Sequence, residues 1–160
     1  MIRSHIQKGV RLNYNISERT KAIMLAKEEP YRTKVFDGKE MIYLQEDIVK
    51  LMDRNCTANG AAMIGRNKTV EFILSSNSKL PIPVSPKKGH FFFPTTSIRN
   101  PDCILLSFYQ IAPPVIPQGN GIIIPFKDDT SLFVNISNRQ FLNQFQRTSQ
   151  VILYYSELKV

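Results

Sequence analysis

Residues 53–74 read DRNCTANGAAMIGRNKTVEFIL, residues 80–86 LPIPVSP and residues 90–103 HFFFPTTSIRNPDC. The first stretch reads as the end of a helix, a small-residue turn and a basic second helix. The other two give a strand, a Pro-Lys-Lys-Gly turn, an aromatic strand and an Arg-Asn-Pro loop. Just upstream, Ile48, Leu51, Met52 and Cys56 recur at helical spacing. Gly60 suits the left-handed residue that ends such a helix. The spacing predicts a second helix over 61–74, although Val70 to Leu74 is β-prone in composition. Ser75 to Lys79 is a polar break. Beyond it Leu80–Val84 and His90–Phe93 flank a turn in which Pro86 presets φ and Gly89 permits reversal.

Working outward, Asp37-Gly38 lies between the apolar runs of Thr33–Leu44, and Asp-Gly supplies a two-residue hairpin turn. Ala22–Ala26 reads as a short strand, and the residues before it, through Arg19, as an irregular arm or an edge strand. Cys103–Ile111 is apolar enough for a buried strand, ended by Pro113, Pro114 and Pro117. Gly121–Phe126 and Leu132–Ile136 form a last hairpin through Asp128-Asp129, a pair that reads as a solvated turn. Ser137 caps a C-terminal helix. Phe141, Phe145, Thr148, Ile152 and Tyr155 line one side of that helix, and Asn143, Arg147 and Gln150 form a polar stripe on the other. Strands and helices do not alternate as in βαβ units. The expectation is one α+β domain over residues 1–160, a mainly antiparallel sheet with a central helix pair and a C-terminal helix.

A hydrophobic fraction of 42% with 21% charged residues is ordinary for a globular chain of 160 residues. The formal charge of +8 and a pI near 9.6 favour an anionic partner. Cys56 and Cys103 are too few for a disulfide framework. With His5 and His90 they show no metal-ligand spacing, so neither a metal nor another cofactor is expected. Nucleophile-elbow, zincin, phosphate-loop and dinucleotide motifs are all missing, and the chain reads as a non-enzyme. The first residues lack a signal-peptide core and no apolar run reaches membrane-spanning length, which predicts a cytoplasmic protein without a membrane partner.

Cations recur at the turns between apolar elements. As a helix-turn-helix the 53–74 segment fits poorly, because its second helix opens on Gly60-Ala61-Ala62, which has no side chain to bond base edges. Arg66, Asn67 and Lys68 suit a nucleic-acid backbone or a narrow groove better. Lys87 and Lys88 on one tight turn, and Arg99 and Asn100 on the next loop, extend the candidate set, and Arg147 on the last helix completes it. Phe91, Phe92 and Phe93 could stack bases, but alternation along a strand assigns them mainly to the core.

Four pieces in order, DRNCTANGAAMIGR, LPIPVSP, FFFPTTSIRNPDC and ISNRQFLNQFQRT, resemble the competence transcription factor family (ComK). The resemblance implies an activator of DNA-uptake genes that binds A/T-rich boxes of double-stranded DNA through the minor groove. It further implies a homodimer that can pair into a dimer of dimers. Lys87 and Lys88 stand outside the family pattern and rest on the charge argument. Leu105 replaces a frequent aromatic. Longer members carry a C-terminal extension used by a proteolytic adaptor, and the resemblance leaves that partner open for this chain. A second reading is a non-DNA interaction module that modulates a longer activator through mixed dimers.

Overall fold

The computed structural model describes residues 6–158. Four strands come first: β1 (Gln7–Val10), β2 (Thr20–Leu25), β3 (Thr33–Asp37) and β4 (Glu40–Leu44). Two helices follow, α1 (Ile48–Ala58) and α2 (Met63–Leu74), and then β5 (Ile82–Ser85), β6 (His90–Pro94) and β7 (Ile104–Ser107). The chain closes with β8 (Ile116–Gln118), β9 (Gly121–Pro125), β10 (Ser131–Val134) and the long helix α3 (Asn138–Glu157). A seven-stranded sheet runs β1-β4-β3-β2-β7-β6-β5 and a three-stranded one β10-β9-β8. Every pairing is antiparallel except β1 on β4. The α+β expectation holds.

The large sheet is covered on both faces. Ile23, Val35, Ile42, Ile82, Val84, Phe92 and Leu105 pack with Leu51, Met52 and Cys56 of α1. Their strand neighbours Ala22, Met24, Phe36, Met41, Phe93 and Leu106 turn the other way. They meet Ile122, Ile124, Leu132 and Val134 of the small sheet and Phe141 of α3. Side chains alternate along a strand, so a sheet buried on both sides reads as continuous apolar runs. This is why Phe91, Phe92 and Phe93 are all buried, at 3%, 0% and 0% exposure. Each contributes about 1.5–3 kcal/mol by leaving water, and none is open to stack a base. α2 packs against β5 and both other helices. Its Val70 meets Phe91 and Val151.

Local chemistry explains the element ends. The Asp47 carboxylate accepts from the amides of Val49 and Lys50 to start α1. Ser137 and Gln140 form a reciprocal capping box at the head of α3. The first hairpin turn is Gly38-Lys39, one residue later than the sequence suggested: Asp37 pairs with Glu40 in the ladder, and Gly38 alone takes positive φ. The β-prone end of α2 is helical because Ile73 and Leu74 find tertiary partners there. The strand expected over 103–111 stops at Ser107, where a 3-10 turn at Phe108–Gln110 begins. Strand β8 carries Pro117 on an exposed edge, which hid it from the pattern. His5 lies outside the described residues.

Lys21 joins the two sheets. Its ammonium is 1% exposed as a residue and donates to the Gly38 carbonyl (2.5 Å), Asp128 (2.8 Å) and Thr130 (2.5 Å). It also lies 3.5 Å from the centroid of Phe36. Burial pushes the Lys21 ammonium below its ordinary value, against the pull of Asp128. Asp128 is the exposed turn residue expected, but its carboxylate also accepts from Lys21 and Thr130. Burial alone would raise its carboxyl, but bonds from Lys21 and Thr130 hold it below the usual range. Nearby, the buried Tyr14 hydroxyl donates to Asp37, and burial drives its ionisation far up.

Candidate nucleic-acid interface

The α1–α2 turn is built by its own small and polar residues. Gly60 takes φ +113°, and Asp53 accepts from the amide of Met63 at 2.9 Å to start α2. Arg66 folds back onto this turn: its Nη2 donates to the Asn59 carbonyl at 2.9 Å. Its Nε is buried and finds no partner among the described residues. Arg66 thereby closes the end of α1. Its charge also opposes the burial that pushes the Cys56 thiol up to about 11, leaving Cys56 an inert core residue. Asn67, one position on, faces a cleft, and Lys68 is exposed on the outer surface of α2.

Tight turns order the loop between β6 and β7. Thr95 exchanges bonds with Ile104 (3.0 and 2.9 Å), the Asn100 amide donates to the Ser97 carbonyl (2.9 Å), and the Cys103 amide donates to the Asn100 carbonyl (3.0 Å). The Asn100 side-chain oxygen accepts from Asp102 at 2.8 Å, which leaves its amide nitrogen as the group available for recognition. Arg99 projects from this frame, exposed. It shares with Asn67 a cleft of about 510 Å³, whose floor is Met63, Leu80, Ile82 and Pro94. A second hollow of about 350 Å³ adjoins it, lined by Thr95, Gln140, Asn143 and Arg147. Ser78 and Lys79 line both.

Lys87 and Lys88 sit elsewhere. Their turn is closed by the Gly89 amide on the Pro86 carbonyl (3.2 Å) and borders Tyr109, Ile152 and Tyr155 near the end of α3. It lies at the far end of the β5–β6 hairpin from Arg99, roughly 15 Å away at about 3.3 Å per strand residue. Burial, aided by the Lys88 charge, pushes His90 below its ordinary value. Arg147 reaches inward instead of outward. Its guanidinium donates to the carbonyls of Lys79 (3.0 Å) and Ser78 (2.9 Å), to Ser76 (3.3 Å) and to Gln144 (2.5 Å). The candidate set therefore divides into four: Asn67 and Arg99 in one cleft with Asn100 on the same loop, Lys68 on the outside of α2, Lys87 and Lys88 at the other end, and Arg66 and Arg147 turned onto backbone.

Sequence reasoning missed Lys79 and Gln140. The polar break SSNSK was visible, but only the return of α3 gives its last residue a place beside Arg99. Cations outnumber acids on this side. From Asn138 to Ser156 α3 carries Arg139 and Arg147 and no carboxylate. Between Ala61 and Asn100 six cations accompany a single acid, Glu71. Such a surface attracts a polyanion and offers amide donors beside the charges.

Comparison with protein families matches residues 11–159 to the family described as ComK protein. The chain belongs to the ComK family. Among individual proteins, this ComK-family chain is 25% identical over 117 residues to the competence transcription factor of Bacillus subtilis (strain 168). The match covers 73% of this chain and 61% of that relative, so the chain spans less than two thirds of the curated protein it resembles. No solved structure matches the chain. Among the described residues no helix is long and apolar enough to cross a membrane, and no group of His, Cys, Asp and Glu is placed to hold a metal ion.

Proposed function

We propose that this chain is a DNA-binding transcription factor that activates competence genes, acting as a dimer or dimer pair on A/T-rich boxes through the minor groove. The observation that carries the reading is the cleft joining Asn67, Lys79 and Arg99, a site with cations and amides on its rim, in a chain of the ComK family. A/T tracts narrow the minor groove and deepen its negative potential, so inserted Arg or Lys gains from shape as well as from charge. Amide side chains suit the acceptor pattern that A·T pairs present there. Lys87 and Lys88, at the other end of the hairpin, are spaced to meet phosphates well along the duplex from those near Arg99.

A gel-shift series tests this directly, setting an A/T-box duplex against a G/C duplex, with a minor-groove ligand as competitor. Preference for the A/T duplex, lost on adding the ligand, is the expected result. If about six phosphates are neutralised, log K should fall with log[salt] at a slope of roughly −5. Equal binding to both duplexes, or no binding at low salt, would overturn the reading. Absence of binding together with co-purification with a longer relative would transfer the function to mixed dimers.

A further inference from the structure

Residues 75–80 connect α2 to β5 and form the wall shared by the two hollows. Ser75 (φ 50°) and Lys79 (φ 51°) adopt left-handed backbone there without being glycine, a conformation that L side chains other than Asn and Asp rarely take. The fastening comes from α3. Gln144 Nε2 donates to the carbonyls of Lys79 (2.9 Å) and Pro94 (2.9 Å). The Arg147 guanidinium takes the Lys79 and Ser78 carbonyls and also donates to Gln144 Oε1, so the two side chains hold each other. Gln144 is 3% exposed. The backbone of Lys79 is thus gripped from inside while its side chain stands exposed at the junction of the hollows. Among the described residues Lys79 and Arg99 enter no ion pair; Glu71, which lines the same cleft, lies beyond ion-pair distance of both.

We propose that Lys79 contacts a DNA phosphate at this junction, and that Arg147 and Gln144 are positioning residues that aim it without touching DNA. The proposal rests on the DNA-binding reading above. It reassigns Arg147, whose fork of donors is occupied by carbonyls from residues 68 and 69 positions away. A bare charge at position 147 could not reproduce that grip, because it is the planar, multiply donating guanidinium that spans two carbonyls.

The test uses fluorescence anisotropy of a short A/T-rich duplex and its G/C counterpart across a salt series. Lys79→Asn removes the charge and keeps a residue suited to left-handed backbone. It should weaken both duplexes alike and reduce the salt slope by about 1. Arg147→Ala should weaken binding in the wild-type background and add nothing in the Lys79→Asn background. Arg147→Lys, which keeps the charge and loses the fork, should also bind more weakly. It serves alone if the alanine variant does not fold. Wild-type affinity and slope for Lys79→Asn would overturn the contact. Fully additive losses, or unchanged affinity for Arg147→Lys, would overturn the positioning role. If the wild-type protein binds no duplex at low salt, the DNA-binding reading itself has failed, an outcome distinct from wild-type binding with an inert Lys79→Asn.

Discussion

The two ends of the large sheet treat their cations differently. On the β2–β3–β4 and α1 side, Arg11, Arg19, Lys21, Lys27, Arg32, Lys34 and Arg54 each face a carboxylate within 4 Å among the described residues. Arg54 is the clearest case. It holds both oxygens of Glu46 at 2.9 Å while donating to the Tyr14 carbonyl at 2.7 Å. On the α2, β5–β6 and α3 side no cation from Arg66 to Arg147 enters an ion pair among the described residues. Two of them, Arg66 and Arg147, bind backbone carbonyls instead. The net charge of +8 therefore combines a region where most cations are paired, with Lys8, Lys39 and Lys50 unpaired among the described residues, and a region where none is. Composition points to an anionic partner, and the distribution of ion pairs points to the side it would meet.

The contrast can be broken from its paired side first. Lys21→Ala removes the buried ammonium that joins the sheets and should cost about 3 kcal/mol, lowering the melting temperature by roughly 10 °C. DNA affinity per folded molecule should not change; a loss of affinity in titrations corrected for folded fraction would mean that the two sides are not separable. Arg66→Ala comes next, since it undoes a bond to the end of α1. It should cost about 1 kcal/mol, a few degrees by thermal melting, and any change in binding should follow that loss of stability.

Variants on the free side sharpen the comparison with smaller thermal effects. Arg99→Ala should leave melting within about a degree, as surface changes usually do, and reduce the salt slope of binding by about 1. The Lys87→Ala, Lys88→Ala pair should reduce it by about 2. An unchanged slope for the lysine pair would remove that turn from the interface. The smallest effect concerns acid. The Asp128 carboxyl titrates lower folded than unfolded, so its stabilisation is present above the ordinary carboxylate range and fades as pH falls through the folded value. Melting curves recorded down through that range should fall more steeply for wild type than for Asp128→Asn.

Much of the fold was legible because it rests on local chemistry. Asp37-Gly38 marked a hairpin, Ser137 marked a helix start, and the Leu51, Met52 and Cys56 face marked the burial of α1. The helix read over 61–74 and the core assignment of Phe91–Phe93 held as well. The lapses are the strand expected to run to Ile111, which ends in a 3-10 turn at Phe108–Gln110, and the proline-bearing β8, which exists by pairing with β9; periodicity reports neither. The candidate site was legible only as a set of cations at turns. Asn67 and Arg99 do share a cleft, whereas Lys87 and Lys88 lie at the opposite end of the hairpin.

By itself, then, the sequence determined the α+β class, the order of the principal helices and hairpins and the positive balance of the chain, because propensity, capping and charge are properties of neighbouring residues. Only the tertiary structure decided which cations are free. Lys79 is presented and Arg147 occupied because α3 returns to a loop more than sixty residues earlier in the chain. A guanidinium bonds to whichever carbonyls folding brings to it, and no local pattern encodes a partner at that separation.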